Sequence, residues 1–202
     1  MKKRKPLVVG LTGPIGSGKT TVARIFREAF DIPVYHADDR AKQLMETQPE
    51  LRRKIKEAFG KDSYDENGRL NRAYLGQKVF ADAKALKRLE KMVHPVVRAD
   101  FKKWLQTQDA PYVLLENAIL IKSGMDRFCD KIIWVNADEN IRTERIRNRN
   151  PEWDDAHIRQ RMRSGVQNSE NTDIPIIRLE NSQNIKYLTE KIKEIHQSIL
   201  DD

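Results

Sequence analysis

A single cysteine, Cys129, stands in 202 residues. One thiol cannot build an internal disulfide framework, so the fold must rest on its apolar core, and a reducing compartment is expected. Apolar runs approaching the roughly 20 residues that cross a bilayer are also missing. The chain opens with Lys2-Lys3-Arg4-Lys5, but the apolar stretch after it stops at Thr12. That is too short for the core of a signal peptide, so a cytoplasmic protein without a membrane partner is expected. There is no repeat, low-complexity tract or flexible linker. His36 has no acidic or cysteine partner at metal-ligand spacing, and no zinc site is expected. The formal net charge is +8, yet four of the eight charges sit in the first five residues. With Tyr and Trp scattered along the chain, a continuous basic face with stacking positions for nucleic acid is not expected. The length fits one domain, or one core with an insertion.

What is present is the stretch Gly10-Leu11-Thr12-Gly13-Pro14-Ile15-Gly16-Ser17-Gly18-Lys19-Thr20-Thr21. From Gly13 to Thr20 it fits G-x-x-x-x-G-K-T, a phosphate-binding loop. Glycines let the backbone curl so that its N–H groups face phosphate oxygens. Lys19 brings a point charge to the β- and γ-phosphates, and Thr20 a hydroxyl for the accompanying magnesium ion. The context agrees: Leu7 to Leu11 is an apolar run of strand length, and Val22, Ile25, Phe26, Ala29 and Phe30 line one helical face. The positive end of that helix would add to the site.

Further on, Asp31 to His36 reads as a second strand, with a helix starting near an N-cap at Asp38 or Asp39. From about Asp38 to Asp109 the pattern is helical and highly charged, broken by a turn-rich segment from Gly60 to Gly68. Pro95 should kink its helix or separate two. Pro111 to Leu115 and Lys131 to Val135 are further strands, Ile174 to Leu179 a weaker fifth, and Ile185 to Ile199 a closing amphipathic helix. Apolar strands alternating with helices imply an α/β fold with a parallel sheet covered on both faces. Ligands of such sheets bind beyond the carboxyl ends of the strands, here Gly13–Thr21, His36–Asp38, Glu116–Leu120 and Asn136–Asp138.

Several residues on that rim could carry chemistry, and each has a plainer reading. Asp38 could orient an acceptor hydroxyl and take its proton, or simply cap a helix. Glu116 could hold magnesium or its water, or pair locally. Arg142, Arg145 and Arg149 share one helical sector with little acid on it, so phosphate is the obvious counter-charge; a solvated face is the alternative. Arg159, Arg161 and Arg163 follow in a polar segment, Asn148 to Asn171, with little apolar content, which reads as a mobile lid. His94-Pro95 could be a kink that touches ligand or a packed histidine.

Together these residues resemble the dephospho-CoA kinase family over nearly the whole chain. The loop is similar to its G-L-T-G-x-I-G-S-G-K followed by Ser or Thr. Val34-Tyr35-His36-Ala37-Asp38 takes the place of V-x-D-A-D. Phe80 and Leu89-x-x-x-x-His94-Pro95 match F…L-x-x-x-x-H-P, and Trp134-Val135 followed by Arg145-x-x-x-Arg149 matches its strand and R-x-x-x-R. Three departures stand out. His36 replaces the first Asp of D-A-D. Glu116-Asn117-Ala118-Ile119-Leu120-Ile121-Lys122 replaces a D-x-P-L-L segment with a closing Glu. Arg142 stands where glutamine is common.

The resemblance implies a P-loop NTPase three-layer α/β/α core with a parallel sheet, in one domain spanning 1–202. Its parts would be a core of 6–37, 110–147 and 172–202, a helical acceptor-binding insert at 38–109 and a lid at 148–171. It implies ATP on Gly13, Ile15, Gly16, Ser17, Gly18, Lys19, Thr20, Thr21 and Arg149, with magnesium on Thr20 and Glu116. Asp38, Lys19 and Arg145 would be catalytic, and Asp38 and His94 would bind the acceptor, dephospho-CoA, whose ribose 3′-hydroxyl is phosphorylated. The protein would be a monomer or weak homo-oligomer. Other small-molecule and nucleoside monophosphate kinases share the loop and lid but not the His94-Pro95 context. A GTPase fits less well, since Asp65-Glu66-Asn67-Gly68 lies in a turn and no N-K-x-D follows.

Overall fold

The computed structural model describes residues 5–165 and 172–201. Residues 2–4 of the basic start and positions 166–171 of the expected lid lie outside the described residues. Along the chain, Leu7–Thr12 is strand β1, Lys19–Phe30 helix α1 and Val34–His36 strand β2. Four helices come next: α2 (Ala37–Thr47), α3 (Pro49–Phe59), α4 (Arg72–Ala81) and α5 (Ala83–Gln106). The chain then returns to β3 (Tyr112–Glu116), β4 (Lys131–Asn136), α6 (Glu139–Arg149), α7 (Asp155–Gly165), β5 (Ile176–Glu180) and α8 (Ile185–Leu200). Two compact units result, one holding Met1–Tyr35 with Gln108–Asp202 and the other His36–Thr107.

In the first unit the strand order is β2-β3-β1-β4-β5. β1 runs parallel to β3 and β4, and β4 parallel to β5. A strand flanked on both edges and covered on its faces has no solvent side, which is why β1, β3 and β4 read as unbroken apolar runs. Tyr112, Val113, Leu114 and Leu115 are all 0% exposed. One face of the sheet is covered by α1 and α8: Val22, Phe26, Leu188, Ile192 and Ile199 form one core with Leu114, Ile133 and Val135. The 3.6-residue spacing of those side chains is what specifies the two helices. β5 begins two residues later than its apolar pattern suggests. The segment after α6 is less polar in effect than in composition, because Ile158 and Met162 of α7 are buried against Ile146, with Ile15 and Trp153 packed beside them.

The second unit is helical, with Leu51, Ile55, Phe59, Val93, Val97 and Phe101 among its buried residues. α5 runs through Pro95 as one helix, neither split nor ended there. Pro95 is exposed while Val93, Val97, Phe101 and Leu105 are buried, so its ring takes the solvent side and the packed stripe holds the helix across the one missing N–H. Arg40 grips Asp100 through two bonds, Nε to Oδ2 at 2.9 Å and Nη2 to Oδ1 at 2.6 Å, tying α2 to α5. The Gly60–Gly68 break is a turn region: the Gly68 N–H bonds to Asp65 O and the Arg69 N–H to Asp65 Oδ1. The Tyr64 hydroxyl donates to Met45 O at 2.7 Å, and burial pushes its pKa up to about 12. Among the described residues no helix is long and apolar enough to cross a membrane.

Two outcomes test this packing. Phe101→Ala removes a 0% exposed ring and should lower stability to urea by about 3–5 kcal/mol; a loss under about 1 kcal/mol would show that the site is not packed as described. His196 stacks on Phe30 at 4.2 Å between ring centres, and its Nδ1 lies 2.6 Å from the hydroxyl of buried Tyr112. Burial holds its pKa below the ordinary 6.5. The folded state therefore resists protonating it, so its contribution to stability is whole above the unfolded value and is lost as pH falls. An NMR titration should place the imidazole midpoint below 6.5, whereas a midpoint above that value contradicts the packing.

Candidate functional site

β1 delivers the chain into the loop at Gly13, and α1 takes over at Lys19. Two glycines in between are required by geometry. Gly16 has φ 81°, and a Cβ there would sit 2.7 Å from Arg142 O; Gly18 has φ 92°, and its Cβ would lie 2.2 Å from Asn181 Nδ2. Both positions combine a left-handed backbone with no room for a side chain. α1 carries no acidic residue in its first turn, which leaves the positive end of the helix for an anion.

Side chains hold the loop through its carbonyls. Lys19 Nζ donates to Gly13 O at 2.9 Å and Pro14 O at 3.1 Å. Arg142 Nε donates to Ile15 O at 2.9 Å. Arg145 Nη1 reaches Gly16 O and Ser17 O, both at 3.4 Å, while its Nη2 donates to Asn181 O at 3.0 Å. Asn181 completes the set, its Nδ2 donating to Ser17 O at 2.7 Å.

Beside the loop, Thr20 Oγ1 donates to Glu116 Oε1 at 3.3 Å. Glu116 ends β3, in register with Leu11 of β1, so the pairing of neighbouring strands places it beside the start of α1. A hydroxyl and a carboxylate are the hard oxygen donors that magnesium takes, and the pair fits that ion chemically. The chain turns after Glu116 at buried Asn117, whose Oδ1 accepts from the Ile119 N–H and whose Nδ2 donates to Ser123 Oγ. Ala118 and Lys122 lie in this turn, and Lys122 is exposed.

The arginines of α6, alike in the helical pattern, have different fates. Arg142 is 9% exposed, and burial lowers its pKa against the opposing pull of Glu139, though a guanidinium stays cationic at neutral pH. Arg145 is half-buried behind the loop, and Arg149 is the exposed last residue of α6. Arg147 pairs with Asp155 at 2.8 Å. On α7, Arg159 and Arg163 are exposed, while Arg161 lies over the Trp153 ring at 5.6 Å and bonds to His157 Nε2 at 3.3 Å.

Asp38 and His94 belong to the helical unit. The N-cap of α2 is His36, not Asp38 or Asp39; both aspartates are in the first turn, and both are exposed. β2 ends at residue 36 and the helix follows at once, two residues sooner than a cap at Asp38 allows. Asp39 is held below the usual carboxylate range first by its hydrogen bond to Lys42. His94 is half-buried on α5. The first unit thus brings together the loop, Thr20, Glu116, Arg142, Arg145 and Asn181. Sequence reasoning missed Asn181, which reads as an ordinary turn residue; its position beyond the carboxyl end of the fifth strand is the signal that identifies it.

A parallel α/β sheet with a lysine-closed glycine loop at the carboxyl end of its central strand defines a phosphate-loop nucleotide-binding protein. The family model for dephospho-CoA kinase matches residues 7–187. The dephospho-CoA kinase of Methylococcus capsulatus is 41% identical over 140 residues, 69% of this chain and 70% of that one. That of Aggregatibacter actinomycetemcomitans is 36% identical over 197 residues, 96% and 94% of the two chains. A crystal structure from Thermus thermophilus superposes with a TM-score of 0.79 at 29% identity, covering 96% of this chain and 98% of its own. Dephospho-CoA kinase from Campylobacter jejuni, at 21% identity and TM-score 0.68 over 96% and 97% of the chains, shares the fold. The chain belongs to the dephospho-CoA kinase family.

Gly18→Ala tests the loop directly. It should weaken ADP binding by about tenfold or more, read by calorimetry, with the circular dichroism spectrum retained. Affinity within about twofold of wild type would contradict the fit between Gly18 and Asn181.

Proposed function

We propose that this chain transfers the γ-phosphoryl group of ATP to the ribose 3′-hydroxyl of dephospho-CoA, giving ADP and coenzyme A, the last step of coenzyme A synthesis. The observation that carries the reading is the family match over residues 7–187 on a chain whose phosphate loop is built and braced. ATP would lie on Gly13, Ile15, Gly16, Ser17, Gly18, Lys19, Thr20 and Thr21, with Arg149 adding charge.

Phosphoryl transfer offers little covalent chemistry for a protein to do, so positioning and charge account for most of the catalysis. Lys19 would follow the β- and γ-phosphates, exchanging loop carbonyls for phosphate oxygens, and Arg145 would neutralise charge on the group in transit. Thr20 and Glu116 would hold magnesium, which would supply charge neutralisation to the phosphates. Asp38 is assigned to the acceptor: it orients the 3′-hydroxyl and takes its proton late in a loose transition state. His94 would bind the acceptor from the helical insert, residues 38–109. Residues 148–171 would serve as the lid that excludes water. The enzyme is read as cytoplasmic, a monomer or weak homo-oligomer.

Purified protein with ATP, magnesium and dephospho-CoA should form ADP and CoA in equal amounts, with AMP, CMP and gluconate turned over far more slowly. Turnover of another acceptor without CoA formation would sink the proposal. Asp38→Asn should lower kcat by about a hundredfold or more while ATP still binds; a near-normal kcat would remove Asp38 from the chemistry.

A further inference from the structure

Each of the five carbonyls from Gly13 to Ser17 accepts a hydrogen bond from a side chain: Lys19 at Gly13 and Pro14, Arg142 at Ile15, Arg145 at Gly16, and Arg145 with Asn181 at Ser17. In a trans peptide unit the C=O and the following N–H lie in one plane and point in opposite directions. Fixing a carbonyl therefore fixes the direction of the next residue's N–H. The Ile15 carbonyl is drawn to Arg142 on α6, which turns the Gly16 N–H away from α6. Gly16 is also pressed against that helix, since a Cβ on it would meet Arg142 O at 2.7 Å and Arg142 Cα at 3.0 Å.

Arg142 gives up much to be there. It is among the most buried charged residues described, and its Nη2 is buried without a hydrogen-bond partner among the described residues. A buried guanidinium with an unused donor is poorly suited to mere packing, where an apolar side chain of the same length avoids the loss. Among the described residues the bond to Ile15 O is the one hydrogen bond its side chain makes, and it acts on the loop.

We infer that Arg142 is a positioning residue for the phosphoryl donor: by tethering the Ile15 carbonyl it presents the Gly16 N–H to a phosphate oxygen of ATP, without touching the nucleotide itself. This rests on the loop being the ATP site. The tether needs a donor at that place rather than a positive charge, and it acts on nucleotide binding rather than on the acceptor or the transfer step. Arg145 differs in kind, since it is proposed to meet the transferring group itself.

Three variants separate the possibilities: Arg142→Met keeps the stem, Arg142→Gln keeps an amide donor without charge, and Arg142→Lys keeps charge with a differently placed donor. ADP with magnesium is titrated into each by calorimetry, and the Gly16 amide is followed by NMR. Steady-state assays give KM for ATP, KM for dephospho-CoA and kcat. Arg142→Met should weaken ADP binding and raise KM for ATP by about tenfold, with KM for dephospho-CoA and kcat within about threefold of wild type. It should also shift the Gly16 amide signal, and Arg142→Gln should recover most of both effects. ADP affinity within about twofold of wild type in Arg142→Met would overturn the inference. So would recovery by Lys but not by Gln, which would make the effect one of charge, or recovery by neither. If Arg142→Met does not fold, the Gln and Lys comparison decides alone. Should wild type bind ADP yet form no CoA, the proposed reaction fails while the ADP comparison still judges Arg142.

Discussion

The grip of side chains on the carbonyls of Gly13 to Ser17 is the constraint around which the nucleotide end of this protein is arranged. A glycine-rich loop has many conformations open to it, and free in solution it would spend little time in the one that suits a phosphate. Lys19, Arg142, Arg145 and Asn181 remove that freedom from three directions: the loop's own helix, α6, and the turn after β5. Each of those anchors has a fixed base. α1 is packed on the sheet by Val22 and Phe26, α6 is buried at Ile146, and Asn181 follows a strand paired with β4. The apolar core thus acts on function by setting where four polar side chains can reach.

Ile15 shows how closely the two are joined. Its carbonyl is bound by Arg142 while its side chain packs beside Ile146, Ile158 and Met162, so the tip of the loop and the helices after β4 share one small core. A change in the position of α7 would be felt at the loop through that contact. This gives physical content to the proposal that the segment from 148 to 171 acts as a lid, since its described part is packed against a residue of the loop.

Much of this is legible in the sequence alone. The loop was readable because its glycines, lysine and threonine occur at a spacing that only phosphate chemistry needs, between an apolar run and an amphipathic face. The parallel sheet followed from strands that are apolar on both faces. Other features depend on contacts between distant residues, and periodicity does not carry those. Arg142, Arg145 and Arg149 have the same helical spacing, yet one is buried, one half-buried and one exposed, because the loop covers only part of α6. Asn181 becomes meaningful only when β5 is paired beside β4. Local rules let Pro95 either kink its helix or separate two, and the buried stripe of α5 carries one helix through it. Ile158 and Met162 were too sparse to register as a core. Asp38 is suggested by its place after the second strand and His94 by its proline neighbour, but in both cases a plainer reading stays open until the resemblance is added. Both belong to the helical unit, whose charged surface offers sequence reasoning no comparable signature.

The central claim is that phosphate from ATP ends on one particular oxygen of one acceptor. Phosphorus NMR of the product formed from dephospho-CoA tests it most directly. The account predicts a new phosphomonoester resonance coupled to the ribose H3′ proton, growing with the ADP released. Phosphate on the 2′-oxygen, or ADP release with no phosphomonoester on the nucleotide, would contradict it.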